Sequence, residues 1–312
     1  MNTLLSQRIE SADAKELYDE TCKQILANKQ ILAWIMKSCI PEYRDVDVID
    51  IAEKYIEGIP NVGNINIATG ENITGMSNEN INMVKSKNFY DIRYRALAPC
   101  GDGFVELLIN IEAQNKHNPG YSLLKRAVNY VANMVAEQYG TVFSNSEYDK
   151  LKKVYSIWIC RNVPKRLKNS INIYEMKERQ ITGNAKFSKV DYDLTSIIMV
   201  YLGNEFTGDD VDVLKLLNTL LSADVRAKEK IEFLENEFNI KKNEKLEREA
   251  KIMCNLSDGV EEAGIVKGAK TERKRAEEEK LEIAKKLLAS GISIEIVTNS
   301  TGIPVETIQS LS

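Results

Sequence analysis

Two periodicities organise the first two-thirds of this chain. Residues 13–40, DAKELYDETCKQILANKQILAWIMKSCI, repeat apolar side chains every three or four positions (Leu17, Ile25, Leu32, Ile35, Met36). That spacing predicts one amphipathic helix, ended by Pro41. DIAEKYIEGIP predicts a short helix stopped at Gly58, and the Asn-, Gly- and Ser-rich residues 60–87 read as loop or irregular strand. The period then falls to two. NFYDIRYRALA and GFVELLINIEAQ flank PCGDG, a turn-rich link that closes a hairpin around Gly101 and Asp102. YSLLKRAVNYVANMVAEQYG returns to helical spacing through Leu123, Leu124, Ala127, Val128, Val131 and Val135, and stops at Gly140. KVYSIWICRN is a continuous apolar run suited to a central strand buried on both faces, and INIYEM and LTSIIMVYLG supply two more strands. Helix, hairpin, helix, strand is the order of a mixed α/β domain, predicted over residues 1–225.

A two-residue loop at Gly101–Asp102 fixes the hairpin register. Tyr90 then faces Ala113, Ile92 faces Ile111, Tyr94 faces Ile109, Ala96 faces Leu107 and Ala98 faces Val105, all apolar or aromatic on one side. A slip of one residue would scramble the match. The opposite side sets Asp91 against Glu112, Arg93 against Asn110, Arg95 against Leu108 and Gln114 against Phe89, and is expected to face water. Opposed carboxylates with β-carbons about 5 Å apart repel and destabilise a sheet. Arg93, diagonal to Glu112, offsets part of this, and a bound divalent cation would remove it, since both groups are hard oxygen ligands. Gln114, one pleat further along, is placed to orient a water or a phosphate oxygen. An acidic pair on an exposed strand also arises by chance, so the geometry alone leaves a metal site and a solvated surface both open.

From Ala227 the composition turns to Lys, Glu and Arg. AKEKIEFLENEFNIKKNEKLEREAK and KTERKRAEEEKLEIAKKLLASG read as charged, solvated helices joined by a stretch containing Gly259, Gly264 and Gly268. These glycines interrupt any sustained heptad repeat. Residues 226–312 are therefore read as a charged helical tail. Its end, about 281–312, holds three short helices stopped at Gly291 and Gly302 and restarted at Pro304, the layout of a small helix-turn-helix.

Composition narrows the chemistry. With 312 residues and 43% apolar content the chain can bury a large core, and a net charge of −4 excludes a polybasic carpet gripping nucleic acid by charge alone. No apolar run is long enough to span a bilayer and no basic-then-apolar leader opens the chain, so a soluble cytoplasmic protein without membrane contact is expected. The five cysteines (Cys22, Cys39, Cys100, Cys160, Cys254) never form a Cys-x-x-Cys pair, which argues against a disulfide framework or a zinc site. His117 is the one histidine, so a metal here would be a hard cation held by carboxylates.

YDIRYRALAPCGDGFVELLINIEAQN resembles the Asp…Glu-x-Gln core of the PD-(D/E)XK nuclease family transposases, the recombination-promoting nucleases. The superfamily signature is an Asp at one strand end and Glu-x-Lys on the next, and this branch commonly carries Gln at the lysine position, as Gln114 does. The following helix matches in Arg126 and Tyr130, and EIAKKLLASGISIEIVTNSTGIPVETIQSL resembles the family's tail. The resemblance implies a restriction-endonuclease-like core, a central mixed sheet flanked by helices. It also implies a DNA endonuclease of recombination or transposition, with Asp91 and Glu112 ligating Mg²⁺ (or Mn²⁺) and Gln114 in the lysine's place. Arg126 is expected to contact a DNA phosphate or to lie as a surface arginine on its helix, and Tyr130 to pack in the core. An acid on the first helix often accompanies such sites, and Asp19 and Glu20 are both candidates. His117 either contacts DNA or is incidental to its loop. Gln114 carries no charge and cannot neutralise phosphate as a lysine does. A non-catalytic DNA-binding or regulatory protein on the same fold is the competing reading. Cutting both strands of a duplex calls for two sites, so a homodimer is expected.

Overall fold

The computed structural model describes residues 16–62, 79–81, 87–100, 103–115, 117–203, 212–222, 224–254, 279–304 and 307. A six-stranded mixed sheet runs in the order β1-β4-β5-β6-β8-β7, and β2 (Glu79–Ile81) pairs with β3 (Lys87–Phe89) in a separate ribbon. Its members are β1 (Asn61–Val62), β4 (Ile92–Cys100), β5 (Gly103–Gln114), β6 (Lys153–Cys160), β7 (Ser170–Glu175) and β8 (Thr195–Tyr201). β5, β6 and β8 are parallel, whereas β1, β4 and β7 run antiparallel to their neighbours. This is an α/β fold. The unbroken apolar run of β6 sits at the middle, with every residue after Lys153 buried, while β7 leaves Ile173 and Tyr174 exposed at the edge.

The hairpin register agrees with the pattern-based one, from Ile92 opposite Ile111 to Cys100 opposite Gly103. Gly101 and Asp102 themselves lie outside the described residues. The ladder stops at Ile92, and Asp91 occupies a bend. Tyr90 is thereby freed from the alternation: its ring packs on Tyr130, 5.2 Å away, rather than with Ile92 and Tyr94.

The side expected to be wet is covered. Leu108 and Asn110 are wholly buried, and Arg93 and Glu112 are 2% and 3% exposed. The cause is α3 (Leu123–Ala136), which carries the chain from β5 to the parallel strand β6 and so must cross over one sheet face. Its buried stripe is Leu123, Ala127, Tyr130, Val131 and Met134, rotated from the predicted one, and Val128 is left exposed. These residues meet Leu108, Val154, Trp158 and Met199 in one apolar cluster. On β4 the turns at 41–43 and 51–55 pack, with Tyr43 Oη donating to the Leu97 carbonyl at 2.6 Å.

The single helix predicted over 13–40 is two helices: α1 (residues 16–26) and α2 (Lys29–Cys39). Asn28 is the reason. It adopts extended backbone and its side chain accepts the Gln30 N–H at 2.9 Å, an N-cap that ends one helix by starting the next. Leu17 consequently falls outside the buried stripe and is 45% exposed.

The compact unit continues past the strands to Asn255. α4 (Asp212–Leu221), α5 (Ala227–Phe238) and α6 (residues 244–254) belong to it. The charge run from Ala227 conceals an apolar stripe, Ile231, Leu234 and Phe238, followed by Leu246, Ala250 and Met253, all buried. Phe238 stacks edge-on against Trp34 at 5.0 Å. Lys230 is wholly buried and donates to the Ser222 carbonyl at 2.7 Å. A second unit contains α7 (residues 279–289) and α8 (Ile294–Thr301), which bury Ala284, Val297 and Ile303 together. Gly291 and Gly302 take left-handed backbone after each helix, as stop signals require. The helix expected over 304–311 and the glycines 259, 264 and 268 lie largely or wholly outside the described residues. Among the described residues no helix is long and apolar enough to cross a membrane.

If Asn28 sets the break, Asn28→Ala should lower the unfolding free energy by about 1 kcal/mol, while Asn28→Asp should change it by only a few tenths. Urea unfolding of the full chain measures both.

Candidate active site

Asp91 and Glu112 meet where the hairpin ladder ends. The Glu112 Oε1 accepts the Asp91 backbone N–H at 3.1 Å, and the Asp91 Oδ2 accepts the Ala113 backbone N–H at 2.9 Å. Each carboxylate thus takes the place of a missing backbone acceptor on the facing strand. Local sequence explains the exchange. The bend takes Asp91 out of the ladder; its own carboxylate then accepts the facing Ala113 N–H, and Glu112 opposite accepts the Asp91 N–H.

The arrangement around Glu112 is tight. Asn110, two residues back on the same face of β5, donates its amide N–H to Oε1 at 3.0 Å. Trp158 is the cross-strand partner of Glu112 on β6, and it is wholly buried. Burial pushes the Glu112 carboxyl well above the usual carboxylate range, and the Asp91 charge adds to that; the Asp91 N–H, Arg126 and Lys23 oppose it.

Two cations bracket the pair. Lys23 Nζ lies 2.7 Å from Asp91 Oδ1, with both side chains 17% exposed. Arg126 reaches over the rings of Tyr130 and Trp158, at 5.1 and 5.5 Å, and donates to the hydroxyls of Tyr130 (2.6 Å) and Tyr121 (3.1 Å). Burial, and then the Glu112 charge, push the Tyr130 phenol up to about 12, so it remains a neutral acceptor for Arg126. Tyr130 is therefore both core and tether.

Arg93, diagonal to Glu112 on the hairpin, also has a carboxylate partner outside the hairpin. It pairs with Glu137 just beyond α3 and lies over the Tyr90 ring. Gln114 occupies the last position of β5, half-buried on the Glu112 face, and its carbonyl accepts the Arg161 N–H at 2.9 Å. Of the two first-helix acids, Asp19 is the one whose charge acts on Lys23. His117 stands further out with Asn115, Asn118 and Asn162 around an open cleft of about 620 Å³, its ring edge-on to Tyr201.

Sequence reasoning missed Lys23 and the role of Asn110. A lysine four residues after Asp19 looks like an ordinary helix-surface pair, and only the tertiary fold brings it to a residue 68 positions later. Among the described residues no group of three or more His, Cys, Asp and Glu side chains is arranged to hold a metal. Two carboxylates nevertheless suit a magnesium-type ion, which completes its shell with waters and substrate phosphate. The buried, hard-oxygen donor set fits such an ion.

No family model matches the chain, and neither a curated protein nor a solved structure matches it.

A carboxyl whose folded-state value lies above its unfolded one contributes its stability at pH below the ordinary 4.5 and loses it as pH climbs toward the raised value. Metal-free Glu112→Gln should therefore match the unsubstituted protein near pH 4 and be the more stable at pH 8. Thermal unfolding in a chelator across that range tests it; an equal or lower midpoint for the variant at pH 8 would show the ionised carboxylate to be at home in its site.

Proposed function

We propose that the chain is a metal-dependent DNA endonuclease of the PD-(D/E)XK type, hydrolysing phosphodiester bonds in recombination or transposition. The observation that carries this reading is the Asp91–Glu112 pair at the end of the hairpin, with Glu112 buried and Asp91 half-buried. A fold has little reason to hold two carboxylates side by side, one of them buried, unless something else needs them there. Their position at the carboxyl end of β5, beside the parallel strand β6, is where open α/β sheets place ligands.

In this reading Asp91 and Glu112 hold Mg²⁺ or Mn²⁺. Such an ion, when bound, polarises the phosphate and lowers the pKa of a coordinated water. The reaction adds the oxygen of one water to phosphorus and breaks one P–O ester bond; the departing alkoxide takes a proton, giving a phosphate monoester and an alcohol. Gln114 orients the water through its amide. Arg126, already fixed by two phenol hydroxyls and two rings, presents an immobile positive charge to a neighbouring phosphate. The helical pair α7–α8 and its continuation would serve as a helix-turn-helix for DNA or for assembly into a homodimer, whose two sites would cut the two strands.

Purified protein should nick supercoiled plasmid in Mg²⁺ or Mn²⁺ and not in EDTA, and Asp91→Ala and Glu112→Ala should each lose about 100-fold or more of that activity with the fold retained. Absence of cutting with any metal, with plasmid still retarded on a gel, would favour the non-catalytic DNA-binding protein. Cutting that survives both substitutions would remove this site from the chemistry.

A further inference from the structure

Gln114 leaves the proposed reaction short of one cation. Charge gathers on phosphorus oxygens in the transition state, and a neutral amide cannot stabilise it as an ammonium does. The described structure holds an ammonium a short distance away, on another element. Lys23, on α1, sits 2.7 Å from Asp91 Oδ1, and the charges of Asp91, Glu112 and Asp19 all act on it. Arg126 is not equivalent, because two hydroxyls and two rings tether its guanidinium. A lysine is a point charge on a flexible four-carbon stem, suited to changing partners.

The two oxygens of Asp91 do different work. Oδ2 accepts the Ala113 N–H and belongs to the strand pairing; Oδ1 meets only the Lys23 ammonium among the contacts described. A divalent ion can therefore take Oδ1 without disturbing the backbone. It would displace Lys23 alone.

Resting on the endonuclease reading, we infer that Lys23 is the mobile cation of this site: it holds Asp91 until a divalent ion arrives, then moves to a non-bridging oxygen of the scissile phosphate and supplies the positive charge absent at Gln114.

Two opposite effects of one substitution identify such a residue. Lys23→Met removes a competitor for Asp91, so Mn²⁺ should bind the DNA-free protein about five- to tenfold more tightly by calorimetry. The same variant should nick plasmid at saturating Mn²⁺ about 100-fold more slowly, and Lys23→Arg should recover part of the rate. Lys23→Gln repeats both measurements with a polar side chain, should the methionine variant fold poorly. Mn²⁺ affinity unchanged or weakened in folded variants would overturn the inference, as would nicking at the unsubstituted rate. If the unsubstituted protein takes up Mn²⁺ and cuts while Lys23 variants behave identically, the Lys23 role fails and the endonuclease reading stands. If the unsubstituted protein takes up no Mn²⁺ and cuts nothing, both fail.

Discussion

The crossed pair of hydrogen bonds between Asp91 and Glu112 is the constraint around which the rest of this region is arranged. β4 leaves its ladder one residue too early, and two part-buried backbone N–H groups, those of Asp91 and Ala113, would lose their acceptors. Burying an amide without an acceptor costs about 1–3 kcal/mol, so two stranded groups would consume a large fraction of a domain's stability. Carboxylates solve that problem with strong, charge-assisted acceptors. They create another, because two carboxyl groups that repel when both are ionised now stand side by side, one buried and one half-buried. Lys23 on one side and Arg126 on the other oppose that repulsion, and Asn110 adds a neutral donor.

Such a compromise is a poor choice for stability alone. Gly, Asn or Ser at the bend would satisfy the turn at lower electrostatic cost. The surrounding fold holds it rigidly: Trp158 backs Glu112, Tyr130 stands between Tyr90 and Trp158, and parallel β6 and β8 are buried along nearly their whole length. Rigid support under an electrostatically expensive pair is what the proposed endonuclease reading requires of its two ligands.

Much of this was legible in the residues. Alternation of apolar positions fixed the hairpin register from Ile92 to Cys100, because a slip would have turned its apolar residues outward, and continuous hydrophobicity placed β6 at the middle. Asp91, Glu112 and Gln114 could be put on one end of the hairpin for the same reason. What could not be read was anything supplied from afar. α3 turned the polar side of the hairpin into an interior, and Glu137, just beyond α3, pairs with Arg93. The break at Asn28 is local chemistry, an N-cap signal outweighed by a run of apolar spacing on either side of it. Lys230, Ile231 and Leu234 show the converse at α5, where a sequence dense in charge still carries one face that packs.

Distance along the chain also explains why Lys23 carries so little local signal. A cation placed at position 114 would be fixed by the strand, close to Glu112 at all times, and would neutralise the pair permanently. Supplied from α1, the same charge meets only one carboxylate oxygen, the one that the strand pairing does not use. On the proposed reading, the site can then be neutral enough to fold without metal and still offer an oxygen to one. Those two demands conflict for a residue bound into the ladder, and they are compatible for a flexible side chain arriving from another helix.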